Sequence, residues 1–154
     1  ARRAVAAGMT LTGHDVAPIS DSFVKEIGLL PMDLDEVLKA SDFISLNCNL
    51  TAENRHMLGR REFSIMKNGA YIVNTSRGAL IDEAALVQAL QQGTVAGVAL
   101  DVFEQEPLPL DSPLRDFDNC IFGTHNSSNT TEAVERVNEI AIRNLFEGLD
   151  EAMQ

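Results

Sequence analysis

Residues 70–107, AYIVNTSRGALIDEAALVQALQQGTVAGVALDVFEQEP, hold two short apolar runs separated by a segment of helical period. Ala70–Asn74 reads as a buried strand, closed by the polar turn Thr75-Ser76-Arg77-Gly78. Asp82 is placed to cap a helix whose apolar positions Ala85, Leu86, Ala89 and Leu90 recur at helical spacing before Gly93. Val95–Leu100 reads as a second strand, ending at Asp101 and followed by a loop rich in proline and acid, residues 104–113. A strand, a helix and a strand in that order predict parallel strands joined by a crossover helix.

The same alternation extends in both directions. Upstream, residues 1–7 read as the tail of a helix stopped by Gly8, and residues 9–13 as a strand ending at His14-Asp15. Asp33 and Glu36 have capping-box spacing ahead of apolar Leu34, Val37 and Leu38. Residues 42–47 form a further strand and residues 60–66 a short helix. Downstream, residues 120–124 read as the last strand, and Asn129 with Glu132 has cap spacing at the start of a long amphipathic helix running to about Leu149. The predicted class is α/β, a doubly wound parallel sheet of the Rossmann type.

Composition narrows the function. The 154 residues carry 12 Lys+Arg and 23 Asp+Glu, a formal net charge of −11. That balance argues against nucleic-acid partners, which need clustered Lys and Arg, and against anionic membrane surfaces. No apolar run approaches the roughly 18 residues of a spanning helix. Cys48 and Cys120 provide neither a disulfide framework nor metal-ligand spacing, which points to a reducing, cytoplasmic setting and no metal.

Polar residues gather where the strands end, at Asp15, residues 47–51, residues 75–78, residues 101–106 and residues 125–129. In an open parallel sheet ligands bind in the crevice outside the carboxyl ends of the strands, so these clusters would line one cleft. Asp15 suits the acid that holds the ribose hydroxyls of a dinucleotide about 20 residues beyond a glycine-rich turn, or else a turn or cap aspartate. No two of the ten glycines stand two positions apart, so G-x-G is absent, and counting back from Asp15 puts that turn, with the first strand, upstream of residue 1. Arg77 offers a planar fork for a carboxylate, or pairs with an acidic neighbour. His125, set in Gly-Thr-His-Asn-Ser-Ser after an apolar run, suits proton transfer, and Glu106 could supply a carboxylate to stabilise its charged form. His14 precedes Asp15, and His56 lies in a charged stretch.

The stretch from Asn74 to Glu106 resembles the signature region of the D-isomer-specific 2-hydroxyacid dehydrogenases. Residues 8–15 resemble the second strand of that family's NAD domain, residues 41–58 its ADxVxLHxPLTxET segment, and His125 with the following helix its histidine loop. The resemblance implies a partial dinucleotide-binding domain over residues 1–154, lacking its first strand and glycine loop, with the substrate-binding domain not present in this chain. The missing strand is central in the order 3-2-1-4-5-6, so the sheet should split in two.

The resemblance further implies NAD as cofactor and hydride transfer to or from a small 2-hydroxy or 2-keto acid. Arg77 then matches the substrate-carboxylate arginine, Glu106 the acid paired with histidine, and His125 the proton donor and acceptor. Asp15 matches the ribose acid and Asp101 the residue facing the nicotinamide carboxamide. Cys48, Asn49, Thr75, Ser76 and Ser128 match positions lining the cofactor, and Arg77 and His125 contact it as well as the substrate. A homodimer is implied, with the last helix, Leu80-Ile81 and Leu86 available either to the interface or to the core. The chain departs from the family at Asn47-Cys48-Asn49, where His-x-Pro is usual, at Thr124, where Pro precedes the histidine, and at Asn126-Ser127, where an apolar-small pair is usual. NAD(H)-binding corepressors resemble the same family, and they are the alternative to an enzyme.

Overall fold

A computed structural model describes residues 1–126 and 129–152. In chain order the elements are α1 (Arg2–Ala6), β1 (Thr12–Gly13), α2 (Asp21–Ile27), β2 (Leu30–Pro31), α3 (Leu34–Ala40), β3 (Phe43–Leu46), α4 (Arg60–Ile65), β4 (Ala70–Asn74), α5 (Glu83–Gln91), β5 (Val95–Leu100), β6 (Cys120–Phe122) and α6 (Thr131–Ala152). Short 3-10 turns cover Gly78–Leu80 and Pro113–Asp116.

All described strand pairs are parallel, and they form two sheets: β1-β2, and β3-β4-β5-β6. The order 3-2-1-4-5-6 without strand 1 would leave a pair and a set of three, whereas the structure has a pair and a set of four, with β6 as an added edge strand. In the larger sheet the register sets Ile44 beside Ile72 and Ile72 beside Val98, and alternate residues face one way. That face buries Ile44, Leu46, Ile72, Val98 and Leu100 against Leu38 of α3, Phe63 of α4, and Leu86 and Leu90 of α5. The opposite face presents Phe43, Tyr71 and Ile121 to solvent, with the Phe43 and Tyr71 rings stacked at 5.3 Å between centroids.

Local signals account for the boundaries. The Asp82 carboxylate accepts the Ala85 N–H at the start of α5, and Asp33 and Glu36 complete a capping box on α3. The structure also departs from the sequence reading. The segment 16–32 holds a helix and a strand that periodicity passes over. Helix α2 is nevertheless punctuated by the Ser20 cap and by left-handed Gly28 at its end. Strand β1 is only two residues long, and β6 ends at Phe122 rather than at Thr124. The cap of α6 is Thr130, whose hydroxyl accepts the Ala133 N–H, whereas Asn129 uses its N–H on the Asn126 carbonyl. The strand before His125 is an edge strand with Ile121 exposed, not a buried one. Leu80, Ile81 and Leu86 are buried within the chain itself and so belong to the core, not to an interface. Along α6, by contrast, Val137, Leu145 and Phe146 are exposed.

Candidate active site

Because β3 to β6 are parallel, the four turns that follow them leave the same edge of the sheet. The turn after β4 is built around Asn74, a fully buried polar side chain. Its Oδ1 accepts the Ser76 N–H at 3.0 Å and its Nδ2 donates to the Arg77 carbonyl at 2.9 Å, so one amide closes the turn from both sides. The Ser76 hydroxyl donates to Leu46 O at the end of neighbouring β3. Thr75 and Arg77 are left exposed at the edge. Arg77 Nη1 donates to the Ser76 carbonyl at 2.6 Å, and among the described residues no ion pair engages its guanidinium.

Gly78 brings this turn against the next one. A Cβ there would overlap the carbonyl carbon and oxygen of Phe103 and crowd the Glu104 nitrogen. Only glycine allows the two backbones to touch, and the contact sets Arg77 beside the loop that carries Glu106.

Glu106 and His125 meet directly. Glu106 Oε2 lies 2.7 Å from His125 Nδ1, and Oε1 accepts the Phe103 N–H at 3.0 Å. The bond to His125, then the Phe103 N–H, and to a smaller degree the charges of His125 and Arg77, hold the Glu106 carboxyl below its ordinary 4.5. The folded value lies below the unfolded one, so this carboxylate stabilises the fold above pH 4.5 and the contribution disappears as pH falls through the folded value. In the complete protein, the stability difference between wild type and Glu106→Gln should therefore be present at neutrality and shrink as pH falls below 4.5, as measured by thermal midpoints across pH. A difference independent of pH would contradict the charge-assisted bond.

His125 is held as firmly through its backbone. It has a φ of 58°, in the left-handed region that non-glycine residues rarely adopt. The conformation is fixed by Asp101, whose carbonyl accepts the His125 N–H at 2.8 Å and whose Oδ1 accepts the Asn126 N–H at 3.1 Å. Gly123 makes room for that carboxylate, because a Cβ there would strike Asp101 Oδ1. An imidazole facing a carboxylate through Nδ1 keeps Nε2 as the nitrogen that can exchange a proton. A cleft of about 390 Å³ opens beside it, lined by His125, Asn126, Asn129, Val134, Val137 and Asn138.

The other predicted cofactor positions are more dispersed. Cys48 and Asn49 are exposed just beyond β3, with the Asn54 amide donating to the Asn49 carbonyl at 2.7 Å. Asp15 is exposed after β1 and makes an Asx turn, its Oδ1 accepting the Ala17 N–H. Exposed hydroxyl, amide and carboxylate groups along strand ends are a donor and acceptor set that suits the hydroxyls of a nucleotide's ribose. Ser128 lies outside the described residues. No group of three metal-ligating side chains occurs among the described residues.

Sequence reasoning passes over one cluster. Glu104 Oε2 lies 2.9 Å from His56 Nε2 and 3.3 Å from Arg55 Nη2, and Glu104 Oε1 accepts the Glu83 N–H. The pair had no local signal, since 48 positions separate His56 from Glu104.

A parallel α/β sheet with polar groups gathered at its strand ends is the architecture of dinucleotide-binding domains. The chain belongs to the D-isomer specific 2-hydroxyacid dehydrogenase family, whose NAD binding domain model matches residues 1–127. It is 43% identical over 146 residues to a glyoxylate reductase of Korarchaeum cryptofilum, a match covering 95% of this chain and 44% of that protein. It is 44% identical over 133 residues to a D-3-phosphoglycerate dehydrogenase of Methanocaldococcus jannaschii, covering 86% of this chain and 25% of the relative. Among solved structures, a glyoxylate reductase from Paecilomyes thermophila superposes with a TM-score of 0.88 at 38% identity, covering 98% of this chain and 45% of that one. A D-lactate dehydrogenase from Aquifex aeolicus, complexed with NAD and lactic acid, superposes at 0.81 with 33% identity, covering 97% and 49%. The chain thus spans less than half the length of each of these relatives. No helix among the described residues is long and apolar enough to cross a membrane.

Proposed function

We propose that the complete protein transfers a hydride between NAD(H) and a small 2-hydroxy or 2-keto acid. The observation that carries this reading is the 2.7 Å bond between His125 and Glu106 on the edge that also presents Arg77. In the reductive direction His125 donates a proton from Nε2 to the carbonyl oxygen of the keto acid. Glu106 holds Nδ1, orienting the ring and balancing its charge. Arg77 receives the substrate carboxylate through its planar fork and offsets the negative charge that develops on the oxygen. Bound nicotinamide supplies the hydride.

Asp15 holds a ribose hydroxyl pair, Asp101 faces the carboxamide, and Cys48, Asn49, Thr75, Ser76 and Ser128 line the cofactor. Family membership and the relatives' printed activities support these roles. In the same reading the glycine-rich turn and the substrate-binding domain lie outside residues 1–154, the 154-residue chain does not turn over by itself, and the complete protein is a cytoplasmic homodimer. Turnover of NADH by the complete protein with glyoxylate, hydroxypyruvate or pyruvate, followed at the nicotinamide absorbance, tests the assignment. Saturable oxidation of NADH with at least one of them is the expected result, and none with any of the three contradicts it.

A further inference from the structure

The loop that carries Glu106 is gripped at a second point, through Glu104. Glu104 Oε1 accepts the Glu83 N–H at 3.0 Å, in the first turn of α5, and Glu83 Oε1 accepts the Glu104 N–H at 2.6 Å. The two residues therefore clasp each other reciprocally. The second oxygen of Glu104 takes His56 and Arg55, from a segment anchored on the Gly78–Leu80 turn by the bond from His56 N–H to the Ala79 carbonyl at 2.8 Å. His56 holds a φ of 55°, in the left-handed region, so its placement is imposed by the surroundings. Burial pushes the Glu83 carboxyl upward, in keeping with a clasp partly withdrawn from water. The Phe103–Glu104 peptide is thereby pinned between Gly78 on one side and Glu83 with His56 on the other. Two residues further on stands Glu106, whose carboxylate depends on the Phe103 N–H for its orientation.

We propose that Glu104, with Glu83 and His56, is a positioning residue that fixes the Phe103–Glu106 loop so that Glu106 meets His125. Glu104 touches no reacting atom and acts through Glu106. This inference rests on the chemistry proposed above. Displacement of a catalytic group by about 1 Å is enough to cost on the order of a hundredfold in rate.

The test is a double-mutant cycle in the complete enzyme with Glu104→Ala and Glu106→Gln, reading kcat and the KM for the keto acid. Glu104→Ala alone should lower kcat by about 10- to 100-fold with KM changed less than about twofold. In the Glu106→Gln background the same substitution should change kcat by less than about twofold, because the group it positions is already disabled. Glu104→Gln, which keeps the acceptor for the Glu83 N–H, should recover most of the loss. An equal kcat loss in both backgrounds, or a loss matched by a rise in KM, overturns the positioning role and leaves the assigned chemistry standing. Wild-type kcat in Glu106→Gln alone overturns that chemistry, and the positioning role with it.

Discussion

Replacing His125 by Asn in the complete enzyme should lower kcat by about 10²- to 10⁴-fold, the range that a positioned general acid or base contributes. NADH affinity, measured by fluorescence titration, should stay within about threefold of wild type. The two outcomes separate because the imidazole does its work at Nε2, on a proton that moves only during the reaction. Its Nδ1 is already occupied by Glu106 Oε2 at 2.7 Å. Asn is too short to reach Glu106 and reacting oxygen together, yet it tolerates the left-handed backbone that residue 125 adopts, so the loop held by Asp101 survives. Loss of cofactor binding in parallel with turnover would assign His125 to the cofactor pocket instead. Unchanged turnover would remove it from the chemistry altogether.

The second large effect concerns a residue without a side chain. Gly78→Ala should destabilise the complete protein by about 3 kcal/mol, the upper end of overpacking costs, because the new methyl meets backbone rather than a side chain that can turn away. For a domain of this size that is a fall of roughly 6–12 °C in thermal midpoint. Turnover should fall as well, since the shift needed to relieve the clash moves either Arg77 or the Phe103–Glu106 loop. Gly148→Ala is the control: nothing lies within 4 Å of a Cβ at that position in α6, and alanine gains up to about 1 kcal/mol over glycine inside a helix. A Gly78→Ala protein with wild-type midpoint and wild-type kcat would show that the close approach of the two turns is dispensable.

The arrangement has a physical economy. Each turn on the sheet edge is tied to its neighbour: the turn after β3 to Ser76, the turn after β4 to Phe103 through Gly78, and the loop after β6 to Asp101. A side chain displaced in one turn therefore bears on the next, the physical basis of the positioning role proposed for Glu104.

Much of the framework was legible in the chain itself. The alternation of apolar runs with helix-period segments located β4, α5 and β5 with their observed bounds close to those expected, because strand burial and helix amphipathicity write themselves into spacing over a few residues. The resemblance of residues 74–106 carried Arg77 and Glu106, and that of the histidine loop carried His125. The segment from Val16 to Met32 was not legible, since two-residue strands leave no period to detect, and the Thr130 cap lost out to Asn129 because both residues suit a helix start.

By itself the sequence determined the parallel α/β class, the order of the polar strand ends and the family. The family resemblance implied that Glu106 and His125 pair, whereas tertiary structure alone decided that Glu104 meets His56. Glu106 reaches His125 across 19 positions and His56 reaches Glu104 across 48, distances over which local propensity carries no information and the docking of neighbouring turns on the sheet edge supplies it. The packing of the Gly78–Leu80 turn and of α5 against the sheet decided that Leu80, Ile81 and Leu86 fill the core, because a residue's face, and not its hydrophobicity, settles whether it is buried.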